Sequence, residues 1–306
     1  MKRAYCRRSD KLGPKPEKFG EQLTADHVVA SGIGHRGIGG ERNAVVLKDR
    51  ATGFLGCYPV RLKSAEEAGQ VMDHFVGPNV AIGRFYSDGS KELTNAAQAM
   101  GWPHDVSTPE RPATNGVAER AICSILDGSR TILETAGFPP NYWPLAVRHY
   151  CMAHNCQKWG GDRSPWELRH GQPFAGHLVP FGAIVDFMPP PSARKAMPKF
   201  GGTTTPGIFL GWHMHNGVKW SRDYYVFMLS DIRISGADYD NPKALQLMPR
   251  IFRTREVYYN YEAPAVFPLK GWYDNIVRNA HTGSFPGAIE LPDGTPYVGE
   301  SEAEAA

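Results

Sequence analysis

Residues 43–60 read NAVVLKDRATGFLGCYPV. Two runs rich in β-branched and aromatic residues flank the segment Arg50–Gly53, and this pattern is typical of two strands joined as a hairpin. On the N-terminal side, the run LTADHVV at residues 23–29 predicts another strand. We therefore expect three strands before the first helix.

On the C-terminal side of the hairpin, helical and extended patterns alternate. Ser64 is a good N-cap with Glu67 at the capping-box position, and it predicts a helix that ends near Phe75. A strand, a helix, a short strand and two longer helices should follow, at residues 80–87, 93–100, 104–107, 115–136 and 142–155. This order predicts a mixed α/β fold and not a regular βαβ alternation.

The composition changes after residue 160. Residues 173–206 are rich in proline and glycine, and the apolar runs GIFLGW and DYYVFML follow. These short strands predict a small all-β, SH3-like barrel. We expect a basic arm, an α/β core, a linker, this barrel and a poorly ordered C-terminal extension, at residues 1–20, 21–158, 159–180, 181–260 and 261–306.

Overall composition excludes several classes of protein. Hydrophobic residues make up 42% of the 306 residues, as in ordinary globular proteins, and the net charge is only +3. The sequence has no apolar run long enough for a membrane span and no signal peptide pattern, so we expect no membrane partner. The five cysteines form no CxxC pair, which favours reduced thiols and an intracellular protein.

Three acidic residues stand where metal chemistry would need them. Asp26 lies inside an apolar strand, where a carboxylate is unfavourable unless it is hydrogen-bonded or binds a cation. Asp88 ends a predicted strand, and Glu119 lies at the margin of the apolar stripe of a long helix. Each also has a structural interpretation: Asp26 could cap a bulge, Asp88 could form a turn with Gly89, and Glu119 could favour a helix start.

If the three carboxylates converge, they repel one another unless a counter-charge is present. Two Mg²⁺ ions, or Mn²⁺ ions, would remove that repulsion, because hard cations prefer oxygen ligands. A pair of metal ions can stabilise both the attacking and the leaving oxygen of a phosphoryl transfer.

The sequence around these acidic residues resembles the integrase of Ty1/copia-type retrotransposon Pol polyproteins, within the retroviral integrase superfamily. The matching segments are LTADHVV, FYSDGSKEL and STPERPATNGVAERAI, with further similarity in RSPWELRHGQPF and TPGIFLGW. The combination is specific, whereas each fragment alone is weak. The resemblance covers roughly residues 20–230.

The resemblance implies an RNase H-like fold with a mixed five-stranded sheet, flanking helices, and the first and fourth strands side by side. It implies that Asp26, Asp88 and Glu119 are catalytic metal ligands. Asn115 and Gly116 would form a mobile DNA-binding loop, and Arg120 would lie near substrate phosphates. The implied activity is polynucleotidyl transfer, namely 3′-end processing and strand transfer, by a homo-multimer acting on element and target DNA in the nucleus.

Two departures from the family pattern concern activity. Thirty residues separate Asp88 from Glu119, a few fewer than the commonest family spacing. The family's zinc-binding His/His/Cys/Cys module is missing, and Cys6 could be its remnant in a piece of a longer polyprotein. Two alternatives therefore stay open: a catalytically silent DNA- or chromatin-binding relic, and an RNase H-like nuclease.

Three other signals are interpreted as structural. The pattern GxGxxG at Gly32, Gly34 and Gly37 should open a helix if it binds a nucleotide, yet β-rich runs follow, so we expect no nucleotide cofactor. Four residues at 149–156 could suggest zinc, but their spacing does not share one helix face: His149, Cys151, His154 and Cys156. Four tryptophans are interpreted as core and lid residues and not as base-stacking platforms: Trp143, Trp159, Trp166 and Trp212.

Overall fold

The computed structural model describes residues 14–30, 36–106, 116–195, 197, 199–229, 231, 250–271 and 273–274. Its strands are β1 (Leu23–Val29), β2 (Asn43–Asp49), β3 (Leu55–Val60), β4 (Phe85–Ser87), β5 (His104–Val106), β6 (Ile184–Phe187), β7 (Thr205–His215), β8 (Lys219–Met228), β9 (Ile251–Thr254) and β10 (Val257–Tyr258). Its helices are α1 (Ala65–Val76), α2 (Lys91–Ala99), α3 (Gly116–Ala136), α4 (Trp143–Cys156), α5 (Pro165–His170) and α6 (Pro191–Arg194), with a 3-10 turn at Pro140–Tyr142. None of the helices in these ranges is long and apolar enough to cross a membrane.

The first sheet has five strands in the order β3-β2-β1-β4-β5. β1, β2 and β3 are antiparallel neighbours, whereas β4 is parallel to both β1 and β5. The predicted mixed five-stranded sheet is therefore confirmed, and β1 lies beside β4 as the RNase H-like resemblance implied. The hairpin predicted over residues 43–60 is also confirmed, as β2 and β3.

Helices cover both faces of this sheet. On one face, Val46 of β2 belongs to a buried cluster with Ala121 and Ile125 of α3 and with Val147 of α4. On the other face, Gly56 of β3 lies so close to α1 that a Cβ atom there would be 2.8 Å from the Phe75 ring. The sheet is thus the middle of three layers, which is how an α/β domain buries both sides of a sheet.

Strand β4 is shorter than the sequence pattern predicts. Residues 80–84 were expected to be extended within the sheet, but β4 begins at Phe85. The backbone N–H of Gly83 donates instead to the Gly20 carbonyl at 2.9 Å, so the preceding residues run along the N-terminal segment. A hydrophobic run alone does not show which backbone supplies its hydrogen bonds.

The second sheet has the order β10-β6-β7-β8-β9 and is open, with β10 and β9 at its edges. The apolar runs predicted as strands are confirmed in β7 and β8. Their buried side includes Phe209 and Phe227, beside Phe187 of β6. The predicted SH3-like barrel is not confirmed, because the described strands do not close on themselves.

The described residues group into two compact units. The first unit takes its residues from segments 1–132, 140–178 and 211–223, and the second from 133–139, 179–210 and 224–306. The five boundaries predicted from composition remain predictions. Several residues interpreted in the sequence analysis lie outside the described ranges. They are Cys6, Gly32, Gly34 and Asn115, together with most of the predicted extension at residues 261–306.

A glycine contact at the end of α1 gives a stability prediction. Gly77 has φ 78°, and a Cβ atom there would be 2.4 Å from the Cα of Gly217. Gly77→Ala should therefore lower the free energy of unfolding by about 2–4 kcal/mol, measured by urea denaturation. Gly69→Ala is the matched control, because Gly69 is inside α1 with no neighbour near an added Cβ, and it should stabilise by up to about 1 kcal/mol. Equal midpoints for the two variants would contradict the steric argument.

Candidate active site

Asp26 lies in β1 on the face that is covered by α3. It pairs with Val46 across the antiparallel ladder, and directly opposed residues point to the same face of a sheet. Since Val46 packs against α3, Asp26 also faces that helix. One carboxylate oxygen accepts a hydrogen bond from the His27 backbone N–H at 2.7 Å.

Asp88 is the first residue after β4, and the strand register brings it level with Asp26. Leu23 pairs with Phe85 and Thr24 with Tyr86 in the parallel ladder, so two further steps set Asp26 opposite Asp88. The Asp88 side chain is exposed and accepts a hydrogen bond from the Ser90 backbone N–H at 3.0 Å. The turn interpretation of Asp88 is therefore compatible with its position beside Asp26.

Glu119 lies in the first turn of α3 and its side chain is exposed. The helix buries Ala118, Ala121 and Ile125, which confirms the predicted apolar stripe. Gly116 begins the helix, and its carbonyl accepts a hydrogen bond from the Arg120 guanidinium at 3.0 Å. Arg120 is also exposed, so Glu119 and Arg120 are both accessible at the N-terminal end of α3.

The three carboxylates interact electrostatically. Burial raises the pKa of Asp26 to about 6, the charges of Asp88 and Glu119 also raise it, and the His27 hydrogen bond and the charge of Lys63 oppose the shift. An aspartate that is influenced by two other acids lies in a site of excess negative charge. Within the described ranges, however, no three His, Cys, Asp or Glu side chains are grouped closely enough to hold a metal ion.

Two neighbours of this site were not anticipated. Lys63, between β3 and α1, influences the pKa of both Asp26 and His27. The ring nitrogens of His27 are buried and have no hydrogen-bond partner in the described structure, and burial lowers the pKa of this histidine. A lysine next to a helix N-cap gives no sequence signal of a site, since such residues are ordinarily solvated.

The signals interpreted as structural have mixed outcomes. Gly37 enters a turn, with its N–H donating to the Glu41 carbonyl at 2.8 Å, and β2 follows instead of a helix. His149 is buried against the ring of Trp212, with ring centroids 4.9 Å apart. Trp166 and Trp212 are buried as predicted, but Trp159 is 58% exposed. Trp159 is therefore not a core residue, and whether it has the alternative role of a lid residue stays a prediction.

The sequence of this chain is similar to parts of known proteins. No family model matches the chain. The chain is 32% identical over 145 residues to a retrovirus-related Pol polyprotein from transposon RE2 of Arabidopsis thaliana, covering 43% of this chain and 10% of the relative. This chain is a relative of transposon Pol polyproteins. A second such relative, from transposon RE1 of the same plant, is 32% identical over 116 residues, or 34% of this chain and 8% of the relative.

The resemblance to a retrotransposon Pol polyprotein is thus confirmed. The chain spans about a tenth of the length of the Pol polyproteins that it matches. Among solved structures, it is similar to the catalytic core domain of BIV integrase, with 14% identity, a TM-score of 0.36, and coverage of 50% of this chain and 95% of that one. It is also similar to a simian T-cell lymphotropic virus intasome in complex with PP2A regulatory subunit B56 gamma, with 12% identity, a TM-score of 0.42, and coverage of 83% and 82%.

Proposed function

We propose that this chain contains the catalytic core of a retrotransposon integrase, which transfers polynucleotide strands through Asp26, Asp88 and Glu119. The observation that carries the proposal is the parallel register of β1 and β4, which, continued by two residues, aligns Asp26 with Asp88. Asp26 faces the helix α3, which carries Glu119. The effect of Asp88 and Glu119 on the pKa of Asp26 supports the proposal. The relationship to transposon Pol polyproteins supplies the substrate class.

The donor set fits divalent cations by charge and by ligand type. Three carboxylates supply hard oxygen ligands. The pKa of Asp26 is raised first by burial and then by the charges of Asp88 and Glu119, which Lys63 offsets only in part. Asp26, Asp88 and Glu119 would hold two Mg²⁺ ions, or Mn²⁺ ions. When bound, such ions polarise the phosphoryl group and stabilise the attacking and leaving oxygens.

The remaining residues would position DNA. Arg120 is exposed next to Glu119 and carries a charge suited to a phosphate. Gly116, at the start of α3, would leave room for a strand, because no described residue lies within 4 Å of an added Cβ. In the proposed reaction, water first attacks a phosphodiester near the 3′ end of the element DNA, the P–O3′ bond breaks, and the terminal nucleotides leave, which frees a 3′ hydroxyl. That hydroxyl then attacks a phosphodiester of target DNA in the nucleus, and the target P–O3′ bond breaks to release a target 3′ hydroxyl. We further propose that the protein acts as a homo-multimer.

A joining assay tests this function. The protein is incubated with a labelled duplex end, Mg²⁺ or Mn²⁺, and a target plasmid. The wild type should yield joined product, and Asp88→Asn should reduce it by about a thousandfold or more. Asp127→Asn is the matched control and should leave joining unchanged. Asp127 is an exposed carboxylate on α3, the helix that carries Glu119, and it pairs with Arg130.

The same assay separates the alternatives. Cutting without joining, dependent on Asp88, would identify an RNase H-like nuclease. DNA binding with no chemistry in either metal would identify a catalytically silent DNA- or chromatin-binding relic. Joining that persists in Asp88→Asn would show that the carboxylates are not the catalytic groups.

A further inference from the structure

Trp159 is an exposed aromatic side chain that the fold holds in one orientation. Its indole N–H donates to the His154 carbonyl at 2.9 Å, and its ring stacks on the His154 ring with centroids 4.8 Å apart and an interplanar angle of 28°. One face of the indole is therefore covered, while the side chain is 58% exposed overall. Most exposed tryptophans would be free to rotate, whereas this one presents a fixed, uncovered face.

The supporting histidine is neutral and anchored. Burial and the charge of Lys48 lower the pKa of His154 to about 4, so its imidazole is uncharged at neutral pH. On its helix, Tyr150 lies one turn before it, with ring centroids 6.2 Å apart. Asn155, the next residue, is buried and bonds both backbone groups of Leu55 at 2.8 Å, which fixes the end of α4 against β3.

Positive charge links this platform to the carboxylates. Lys48 pairs with Thr24 in the β1–β2 ladder, on the same face as Asp26 and one pleat, about 7 Å, away along the strand. Burial lowers the pKa of Lys48, and the positive charge of Arg120 lowers it further, so the two cations repel each other electrostatically. Arg120 follows Glu119 directly in the chain. Arg120 thus acts electrostatically on Lys48, and Lys48 acts on His154, which carries the Trp159 ring.

We propose that the exposed face of Trp159 stacks on an unpaired nucleobase of the DNA substrate, while Lys48 and Arg120 contact phosphates between that base and the carboxylates. Aromatic stacking accepts any base, and lysine and arginine contacts follow the backbone regardless of sequence. The inference rests on the proposed function, since that function supplies DNA as the ligand. It deepens that function by naming where an unpaired strand is held.

A binding assay without metal tests the platform. Fluorescence anisotropy in EDTA compares two labelled duplexes with single-stranded ends, one complete and one with abasic sites in the single-stranded part. Wild-type protein should bind the complete DNA about tenfold more tightly than the abasic DNA. Trp159→Ala should bind both DNAs with the weaker affinity, and Trp159→Phe should restore most of the difference because it keeps an aromatic face.

The charged part of the path has its own readout. Lys48→Gln should lower the slope of log Kd against log salt by about one, because one phosphate contact is lost, without changing the effect of abasic sites. Circular dichroism of each variant checks that the fold is intact. Asp127→Asn should keep the full base dependence, because Asp127 is an exposed carboxylate of α3 that pairs with Arg130 and is outside the platform.

The outcomes distinguish the two proposals. If wild-type protein binds the DNA but does not distinguish complete from abasic ends, the platform is refuted while the integrase proposal stands. If Trp159→Ala changes only the oligomeric state in sedimentation experiments, the exposed indole is a protein contact and the platform is refuted. If no DNA is bound at all, the proposed function fails first.

Discussion

Replacing Asp26 by asparagine is expected to abolish DNA joining and, at the same time, to raise the melting temperature measured in EDTA. Activity should fall by about a thousandfold or more, because a neutral amide is a poor ligand for a divalent cation. Stability should rise because the folded protein holds this carboxylate half-buried and within the electrostatic influence of two other acids. A group that is needed for chemistry and unfavourable for folding would give this opposite pair of effects.

The gain in stability should depend on pH. The pKa of Asp26 is about 6 when folded and near 3.8 when unfolded, so the folded state binds more protons between these values. The unfavourable contribution is therefore absent below about pH 4, grows as the pH rises, and is complete above about pH 6. At pH 7.5 the Asp26→Asn variant should gain about 1–2 kcal/mol after allowance for solvent screening, and at pH 4 almost nothing.

Divalent ions should reverse the order of stability of the wild type and Asp26→Asn. Mg²⁺ or Mn²⁺ should raise the melting temperature of the wild type by mass action, and it should have little effect on Asp26→Asn. Asp127→Asn again serves as the control and should respond to metal as the wild type does. A wild type that shows no thermal shift with either metal, together with an Asp26→Asn variant that is less stable at pH 7.5, would refute the metal-site proposal.

The largest effect on stability is expected from Arg169→Ala. The Arg169 guanidinium lies over the ring of Phe19 at 4.0 Å and over that of Phe54 at 4.4 Å. It donates to the carbonyls of Phe75, near the end of α1, and of Gly217. Burial lowers the pKa of Arg169 to about 10, which leaves it charged at neutral pH. Removing it leaves buried carbonyls without a donor and a void between aromatic rings.

We expect Arg169→Ala to lower the free energy of unfolding by about 3–5 kcal/mol, and thus the melting temperature by roughly 10 °C. Arg169→Lys should recover only part of this loss, since an ammonium lacks the planar fork that reaches several carbonyls and stacks on rings. Arg163→Ala is the matched control: Arg163 is exposed, bonds the Glu167 carbonyl, and should contribute less than about 1 kcal/mol. A similar melting temperature for the two alanine variants would contradict the structural role of Arg169.

The sequence predicted well those strands and helices that are determined by neighbouring residues in the chain. The hairpin of β2 and β3 follows from β-rich runs around a turn, and α1 begins at Ser64, whose hydroxyl accepts from the Glu67 N–H at 3.2 Å. The side-chain carboxylate of Glu67 instead accepts from the Leu62 N–H, so the expected reciprocal half of the capping box is not formed. Local sequence patterns thus predicted the positions of the helices and strands better than they predicted the hydrogen bonds of the side chains.

The site was predicted less completely, because it depends on contacts between distant segments. Asp26 and Asp88 could be selected from motifs, but their shared level depends on the parallel register of β1 and β4, which no local pattern encodes. Lys63 gave no signal. The sequence did not separate core from exposed tryptophans, because tryptophan is usually buried. The hydrogen bond of the Trp159 indole to the His154 carbonyl and its stacking on the His154 ring account for its exposed, fixed position.

The first compact unit includes residues 211–223, which are separated in sequence from its preceding segment, residues 140–178. Within this segment, the Gly217 N–H donates to the His74 carbonyl, and the Gly217 carbonyl accepts from Arg169. A recombinant fragment that stops after α5 would therefore expose the end of α1 to water and leave a buried guanidinium short of an acceptor. A recombinant fragment of the first unit should therefore extend beyond residue 223, although Glu119, the last of the three proposed carboxylates, lies about a hundred residues earlier.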